Sequence, residues 1–446
     1  MATEATAKAG EVGPSIALEP NNASAIPLLL GELTELINGL SPNDQARRLQ
    51  AVAKARDLTQ SLQTPREMMQ RHLWTQHATV SLITVGMECG LFGYLATEGG
   101  SPKTVDQIAN ATGVERSLLR RILRHLTAVG HLVSTSPDMF APTNFARALT
   151  LPTIYGGYPI QNQIVNPAWD KFPAYLAKYN YHPPSTSSPT DPCYTQQAQE
   201  VLTPVQFAHN LPPEQNFFEY AYSLPGVAVN FSNHMAGCRQ GVAKWTDEGF
   251  YPLQERLIDG FSSGSEEEPE DKDDAVFLVD IGGSTGHDLV SLVDAHHPNL
   301  PGRLILQDLP EVVAGADKAL LDEKRIEVMG YDFFTEQPVK EARAYYIHGV
   351  LHDWPDDKVV EILSGVKAAM KPGYSRLLVN ETVTPREGAN WALTSLDINM
   401  FLFAGAKERT EEDFLELIEN RTGLKILKTW SVVNGQESLV ECELPV

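Results

Sequence analysis

The sequence predicts an α/β fold, a Rossmann-like doubly wound parallel sheet over residues 275–446, preceded by an all-helical domain that contains a winged-helix segment. Three observations carry this expectation. After Asp274, short apolar runs alternate with helical patterns, as they do when crossover helices bury parallel strands on both faces. A glycine turn, Asp280-Ile281-Gly282-Gly283-Ser284-Thr285-Gly286, joins the first such run to its helix. Upstream, residues 101–150 have the order helix, turn, helix, hairpin.

The elements follow in order. Residues 1–25 are small and polar, and a disordered tail is expected there. Leu29, Leu33, Leu36, Ile37 and Leu40, then Leu49, Val52 and Ala53, recur at helical spacing, so two helices are expected over 26–62, split by Ser41-Pro42-Asn43-Asp44. A long helical stretch over 65–95 follows. Thr104 and Gln107 form a capping box, and Gly113 stops that helix. A second helix over 117–129 buries Leu118, Leu119, Ile122, Leu123 and Leu126, and strands over 131–134 and 139–142 complete the winged-helix pattern. Its Arg116, Arg120, Arg121 and Arg124 suit either DNA or the solvated face of a dimerisation module, and the acidic chain favours the second. The helical domain is taken as 26–160 and a substrate-binding helical region as 161–260. Within the latter, Phe217, Phe218, Tyr220, Tyr222, Phe231, His234 and Met235 are either core or the lining of a pocket for a flat organic substrate. The acidic stretch within 261–274 is expected to be a solvated loop that marks the boundary.

Composition narrows the function. With 446 residues and 42% hydrophobic content the chain has material for two to three domains. A formal net charge of -22 disfavours nucleic acid and anionic membranes as partners. Cys89, Cys193, Cys238 and Cys442 are far apart without CxxC spacing, which fits thiols in a reducing compartment, and no metal site is expected. No secretory pattern or long apolar run is present, so a soluble cytoplasmic protein without membrane spans is the expectation.

In the α/β domain the polar residues collect at strand ends, where ligands of such sheets bind. The strands are expected at 275–280, 304–306, 326–329, 344–347 and 376–380, with Asp280, Asp308 and Asp332 at or just past their ends. The glycines permit a tight turn and close backbone approach. Neither a GxGxxG fingerprint nor a GK[ST] phosphate loop is present. Asp308 follows at the distance where an acid accepts from ribose hydroxyls; alone it could equally cap a helix. Asp280 and Asp288 flank the turn, which disfavours a pyrophosphate and suits a cation. S-adenosylmethionine, with its sulfonium and ammonium groups and no phosphate, meets that condition.

Four stretches, LVDIGGSTG, LILQDLP, VLHDWPDD and AGAKERT, resemble those of the caffeate- and flavonoid-type O-methyltransferases, and most closely their fungal relatives in secondary metabolism. The resemblance covers about residues 65–446. It implies a class I methyltransferase domain with S-adenosylmethionine as cofactor, a small-molecule acceptor, and a winged-helix segment that serves homodimerisation. Carried over by position, Asp280, Gly282, Gly283 and Gly286 belong to the cofactor turn, Asp308 to the ribose, and Asp332 and Phe333 to the adenine. His352 matches the general base, Glu381 and Glu408 the two acids flanking it, and Asp397 and Asn399 the substrate pocket. One position departs: His348 stands where the plant enzymes have Lys and fungal relatives often Arg, which implies loss of a positive side chain that helps hold the cofactor.

Methyl transfer to oxygen requires the acceptor to lose its proton, which a positioned imidazole can take while a carboxylate fixes its tautomer. An O-methyltransferase acting on an aromatic or polyketide-like metabolite is therefore expected. The alternative is a dehydratase or pericyclase on the same fold, using the sulfonium only as a charge. A regulatory protein acting through the winged helix is a third reading, opposed by the acidic charge and the complete His352–Glu381–Glu408 set.

Overall fold

The computed structural model describes residues 13–42, 44–182, 202–261, 275–296, 300–432 and 437–446. The chain divides into two compact units, 1–162 with 227–238, and 163–226 with 239–446. The acidic stretch 262–274 and Cys193 lie outside the described residues.

The first unit is helical around a small sheet. Residues 14–18 and 23–25, expected within a disordered tail, instead form short 3-10 turns. The Asn21 and Asn22 N–H groups donate to the carbonyls of Gln63 and Ser61, which ties this segment to the carboxyl end of the helix Gln45–Leu62. Helices α1 (Ile26–Asn38) and α2 (Gln45–Leu62) follow, the second capped by Asp44. The stretch expected as one long helix is broken: α3 (His77–Glu88) stops before Gly90, whose φ of 73° is left-handed, and α4 (Leu91–Ala96) starts anew. Helices α5 (Val105–Thr112) and α6 (Arg116–Ala128) then pack on a three-stranded sheet. Its order is β1-β3-β2, with β1 (Lys103–Thr104), β2 (Leu132–Ser136) and β3 (Met139–Pro142).

Thr104 and Gln107 form the expected capping box, and Leu119, Ile122, Leu123 and Leu126 are buried. Leu118 is not, at 49% exposed, because it lies one position off the buried stripe. Arg116 pairs with Asp106, and Arg120 with Asp138, so part of the basic face of α6 is neutralised within the unit. No single described helix is long and apolar enough to cross a membrane.

The second unit contains a seven-stranded sheet in the order β11-β12-β8-β7-β4-β5-β6. Its strands are β4 (Val276–Ile281), β5 (Arg303–Asp308), β6 (Ile326–Gly330), β7 (Ala344–His348), β8 (Arg376–Glu381), β11 (Lys425–Ser431) and β12 (Ser438–Glu443). The first five are parallel, as the pattern predicts. The sheet is nevertheless mixed, because β11 and β12 form an antiparallel pair that continues it beyond β8. Phe277, Leu278, Val279 and Ile281 of β4 are fully buried and feed cores on both faces of the sheet. Each side chain of that size contributes roughly 1.5–3 kcal/mol on burial. Strand order turns back at β4, which pairs with β5 on one side and β7 on the other. The carboxyl ends of β4, β5, β7 and β8 therefore open onto a common crevice, the usual ligand position in such sheets.

Candidate active site

The glycine turn begins where β4 runs out. Gly282 and Gly286 have φ of 73° and 90°, values that disfavour any side chain. The Gly282 and Gly283 N–H groups both donate to the Gln307 carbonyl at the end of β5 (2.8 and 3.1 Å). Beneath them lies Asp280, fully buried, with neither carboxylate oxygen bonded to any described residue. Burial, reinforced by Asp288, holds its carboxyl well above the ordinary range. Both oxygens are left for a ligand, and a cationic group beside them would favour the ionised carboxylate, as S-adenosylmethionine would supply. Asp308 is fastened to the same turn: its Oδ2 accepts from the Ser284 N–H (2.8 Å) and its Oδ1 from the Leu309 N–H (2.7 Å). The helix cap foreseen as an alternative is not formed: Leu309 is the N-cap of the helix Pro310–Val313, which has no side-chain cap bond. Asp332 accepts from the Phe334 N–H (3.0 Å), and Phe333 meets Phe334 and Trp354 edge-on. A Cβ on Gly282 would lie 3.9 Å from the Phe333 ring, which places that ring beside the turn.

His348 ends β7 and is only 8% exposed. Its Nδ1 lies 2.6 Å from Asp288 Oδ2, and its Nε2 lies 3.0 Å from Glu437 Oε2. Ionised carboxylates only accept, so both ring nitrogens carry protons and the ring is an imidazolium. Burial opposes that charge, but Asp288 and Glu437 outweigh it and push the pKa up to about 10. The positive side chain implied as lost is therefore present in another form. Both ring nitrogens are engaged inside the chain, by Asp288 and Glu437.

A stability effect follows from these pairs. A histidine raised in the folded state stabilises fully below its ordinary pKa, near 6.5, and that contribution fades as pH rises through about 10. Asp288 and Glu437, lowered by His348 in spite of burial, act oppositely and stabilise above the ordinary carboxylate range. Thermal melts from neutral to alkaline pH are expected to show a falling Tm, and His348→Gln is expected to flatten that slope while lowering Tm at neutral pH.

His352 lies on the 3-10 turn Leu351–Asp353 that follows β7. Its Nδ1 is 2.9 Å from Oε1 of the buried Glu408, which leaves Nε2 facing Asp353 at 3.6 Å. Glu381, at the end of β8, does not bond the ring. Its Oε1 accepts from the Val350 and Leu351 N–H groups (2.9 and 2.7 Å), so this acid holds the turn and acts on the imidazole through space. Burial would lower the His352 pKa, but Glu381, Glu408 and Asp353 overcome it and push it up to about 10. Burial raises Asp353 to about 6 against the opposing pull of His352. A two-stranded parallel ladder, β9 (Val383–Thr384) with β10 (Arg409–Thr410), brings the segments carrying Glu381 and Glu408 together.

The substrate-pocket candidates divide. Phe217 stacks on Phe403 at 4.7 Å and meets Phe218 edge-on at 5.3 Å, and Phe218 in turn meets Tyr222. Burial, aided by Asp353, raises the Tyr222 pKa, so this aromatic row extends toward the His352 turn. Asp397 is occupied, accepting from the Glu408 N–H (2.9 Å), whereas Asn399 Oδ1 is buried without a partner among the described residues. Phe231, His234 and Met235 lie on the helix Val227–Arg239; residues 227–238 belong to the first unit, where His234 packs beside Gly157 and Met235 is 37% exposed. Sequence reasoning missed Glu437 and Arg409. The first is 89 residues from His348 and carries no motif. The second sits inside AGAKERT, but its burial is invisible in one dimension.

A fold with this crevice is that of the class I S-adenosylmethionine-dependent methyltransferases, and the comparisons agree. The family description "O-methyltransferase domain" matches residues 273–424. Methyltransferase cfoC of Aspergillus candidus is 33% identical over 403 residues, covering 90% of this chain and 92% of the relative. O-methyltransferase mpaG of Penicillium brevicompactum is 31% identical over 424 residues, covering 95% and 100%. Among solved structures, one described as a pericyclic reaction enzyme superposes with TM-score 0.76 at 28% identity, covering 94% of this chain and 99% of that one. OxaC in complex with SAH and oxaline superposes with TM-score 0.74 at 26% identity, with the same coverage. The chain belongs to the S-adenosylmethionine-dependent O-methyltransferase family of fungal secondary metabolism. It is an enzyme, and its cofactor is S-adenosylmethionine.

Proposed function

We propose that the enzyme methylates a hydroxyl of an aromatic or polyketide-like secondary metabolite in the cytoplasm, with His352 as general base. The observation that carries this reading is the His352–Glu408 hydrogen bond at 2.9 Å, which leaves one imidazole nitrogen for an acceptor. S-adenosylmethionine, when bound, supplies the methyl group on a sulfonium. Asp280 and the backbone of Gly282, Gly283 and Gly286 would hold its methionine part, Asp308 its ribose, and Asp332 with Phe333 its adenine. Phe217, Phe218, Asp397 and Asn399, all in the second unit, are the proposed acceptor-binding set, Asp397 acting through Glu408. A phenol with pKa near 10 is matched by an imidazole raised to about 10, so proton transfer between them is close to balanced. Glu408 keeps the imidazolium stable once the proton arrives, and Glu381 keeps the turn in place.

The deciding experiment is incubation with methyl-labelled S-adenosylmethionine and a panel of phenolic acceptors. Label in the product together with stoichiometric S-adenosylhomocysteine is expected; product without it would overturn methyl transfer. That second outcome would favour the dehydratase or pericyclase reading, which finds support in a His352 that rests protonated and in the pericyclic neighbour.

The base reading has a pH signature. His352 must be neutral to accept a proton, so kcat/KM for the cofactor is expected to rise with pH from neutral toward an alkaline plateau. Glu408→Gln removes a carboxylate that raises the imidazole, so the rising limb is expected at lower pH and the plateau at a smaller kcat.

We also propose a homodimer through the first unit. Leu28, Leu30, Ile37, Leu73 and Trp74 are each more than half exposed, apolar surface that a second copy would cover. Light scattering at micromolar concentration is expected to give twice the monomer mass.

A further inference from the structure

Arg409 is the bulkiest of the fully buried side chains, with 1% of its surface exposed. A guanidinium withdrawn from water costs several kcal/mol unless its donors are used. Here Nη1 donates to the Leu351 carbonyl (2.6 Å) and Nη2 to the Trp354 carbonyl (2.7 Å). Nε and Nη2 also donate to Asp356 Oδ1 (3.2 and 2.9 Å). The two carbonyls bracket His352 and Asp353. From the other side, Glu381 accepts from the Val350 and Leu351 N–H groups. The turn is thus held by a carboxylate on its N–H groups and by a guanidinium on its carbonyls. Arg409 directly follows Glu408, and the pairing of Arg409 with Val383 keeps both acids' segments in register. One short strand therefore delivers the acid that touches the imidazole and the cation that fixes its backbone.

We propose that Arg409 is a positioning residue for His352: it holds the turn so that the bond to Glu408 forms, and it sets the basicity of the ring through that bond. The catalytic consequence rests on the reading of His352 as base; the geometric claim does not. The charged groups facing His352 are Glu408, Glu381 and Asp353, with Arg409 behind the turn. Removing the guanidinium charge would by itself raise the imidazole pKa, so the informative variant keeps the charge. Arg409→Lys does this, but one nitrogen cannot span two carbonyls and Asp356 in the planar fork geometry.

The test uses full-length protein labelled at histidine Cε1 and saturated with S-adenosylhomocysteine, the His352 resonance being assigned by its loss in His352→Gln. In Arg409→Lys the His352 midpoint is expected to fall by about one pH unit or more. Asp356→Glu, which keeps the charge but displaces the carboxylate that anchors the guanidinium, is expected to shift it the same way by less. With the acceptor found in the labelling screen, Arg409→Lys is expected to lose about tenfold or more in kcat, with KM for S-adenosylmethionine within about threefold. The Arg409→Lys/His352→Gln double variant is expected to be no slower than His352→Gln. Unchanged His352 titration in folded Arg409→Lys and Asp356→Glu overturns the proposal, whatever the change in Tm. Full kcat in His352→Gln overturns the base reading instead, and the titration still decides the role of Arg409.

Discussion

Replacing His352 by alanine is expected to cut methyl transfer by roughly 10²- to 10⁴-fold, the range a positioned general base supplies. The argument is geometric. Glu408 occupies Nδ1, so proton acceptance falls to Nε2, and Asp353, whose carboxyl is raised to about 6, is a far weaker base. The cofactor candidates lie on other elements, so binding of S-adenosylhomocysteine is expected to stay within a few-fold, as measured by calorimetry. The variant also leaves the Glu408 carboxylate buried without its cation, which lowers stability. His352→Gln restores a donor to Glu408 and separates the two effects: it should melt higher than the alanine variant and be equally slow. An alanine variant that methylates at the full rate would sink the proposed mechanism.

The second large effect is expected at Gly283. A Cβ there would sit 2.4 Å from Asp280 Oδ2 and 2.6 Å from Leu306 Cδ1, and both residues are fully buried. Neither can withdraw without disturbing β4 or β5. Overpacking of this kind costs about 1–3 kcal/mol. If the turn shifts to relieve it, affinity for S-adenosylhomocysteine falls by about 10- to 100-fold, since each 1.4 kcal/mol is tenfold. Gly93→Ala is the control, because a Cβ at Gly93 meets nothing within 4 Å. Unchanged binding in Gly283→Ala would remove the glycine turn from the cofactor site.

Much of the architecture was legible in one dimension. Strand runs such as Val276–Ile281 are apolar on both faces because both faces are covered, and that pattern survives without coordinates. The glycine turn was legible because few residues tolerate positive φ beside a ligand. The break at Gly90 was not, since the apolar periodicity continues through it and only the backbone angle stops the helix. Nor was the antiparallel extension of the sheet: β11 has no fully buried position and no strict alternation, and nothing local states which edge it joins.

At the site, the sequence by itself determined the residue types: a glycine turn with acids at strand ends, a histidine, and two glutamates in recognisable stretches. Only the tertiary structure decided how they are used. Glu408 bonds the His352 ring while Glu381 bonds its backbone, a division set by the ladder between β9 and β10. His348 looked like a lost charge, yet it carries one, because Asp288 and Glu437 close on both ring nitrogens. Protonation depends on which charges lie within a few ångströms, and folding brings those from residues 60 and 89 positions away.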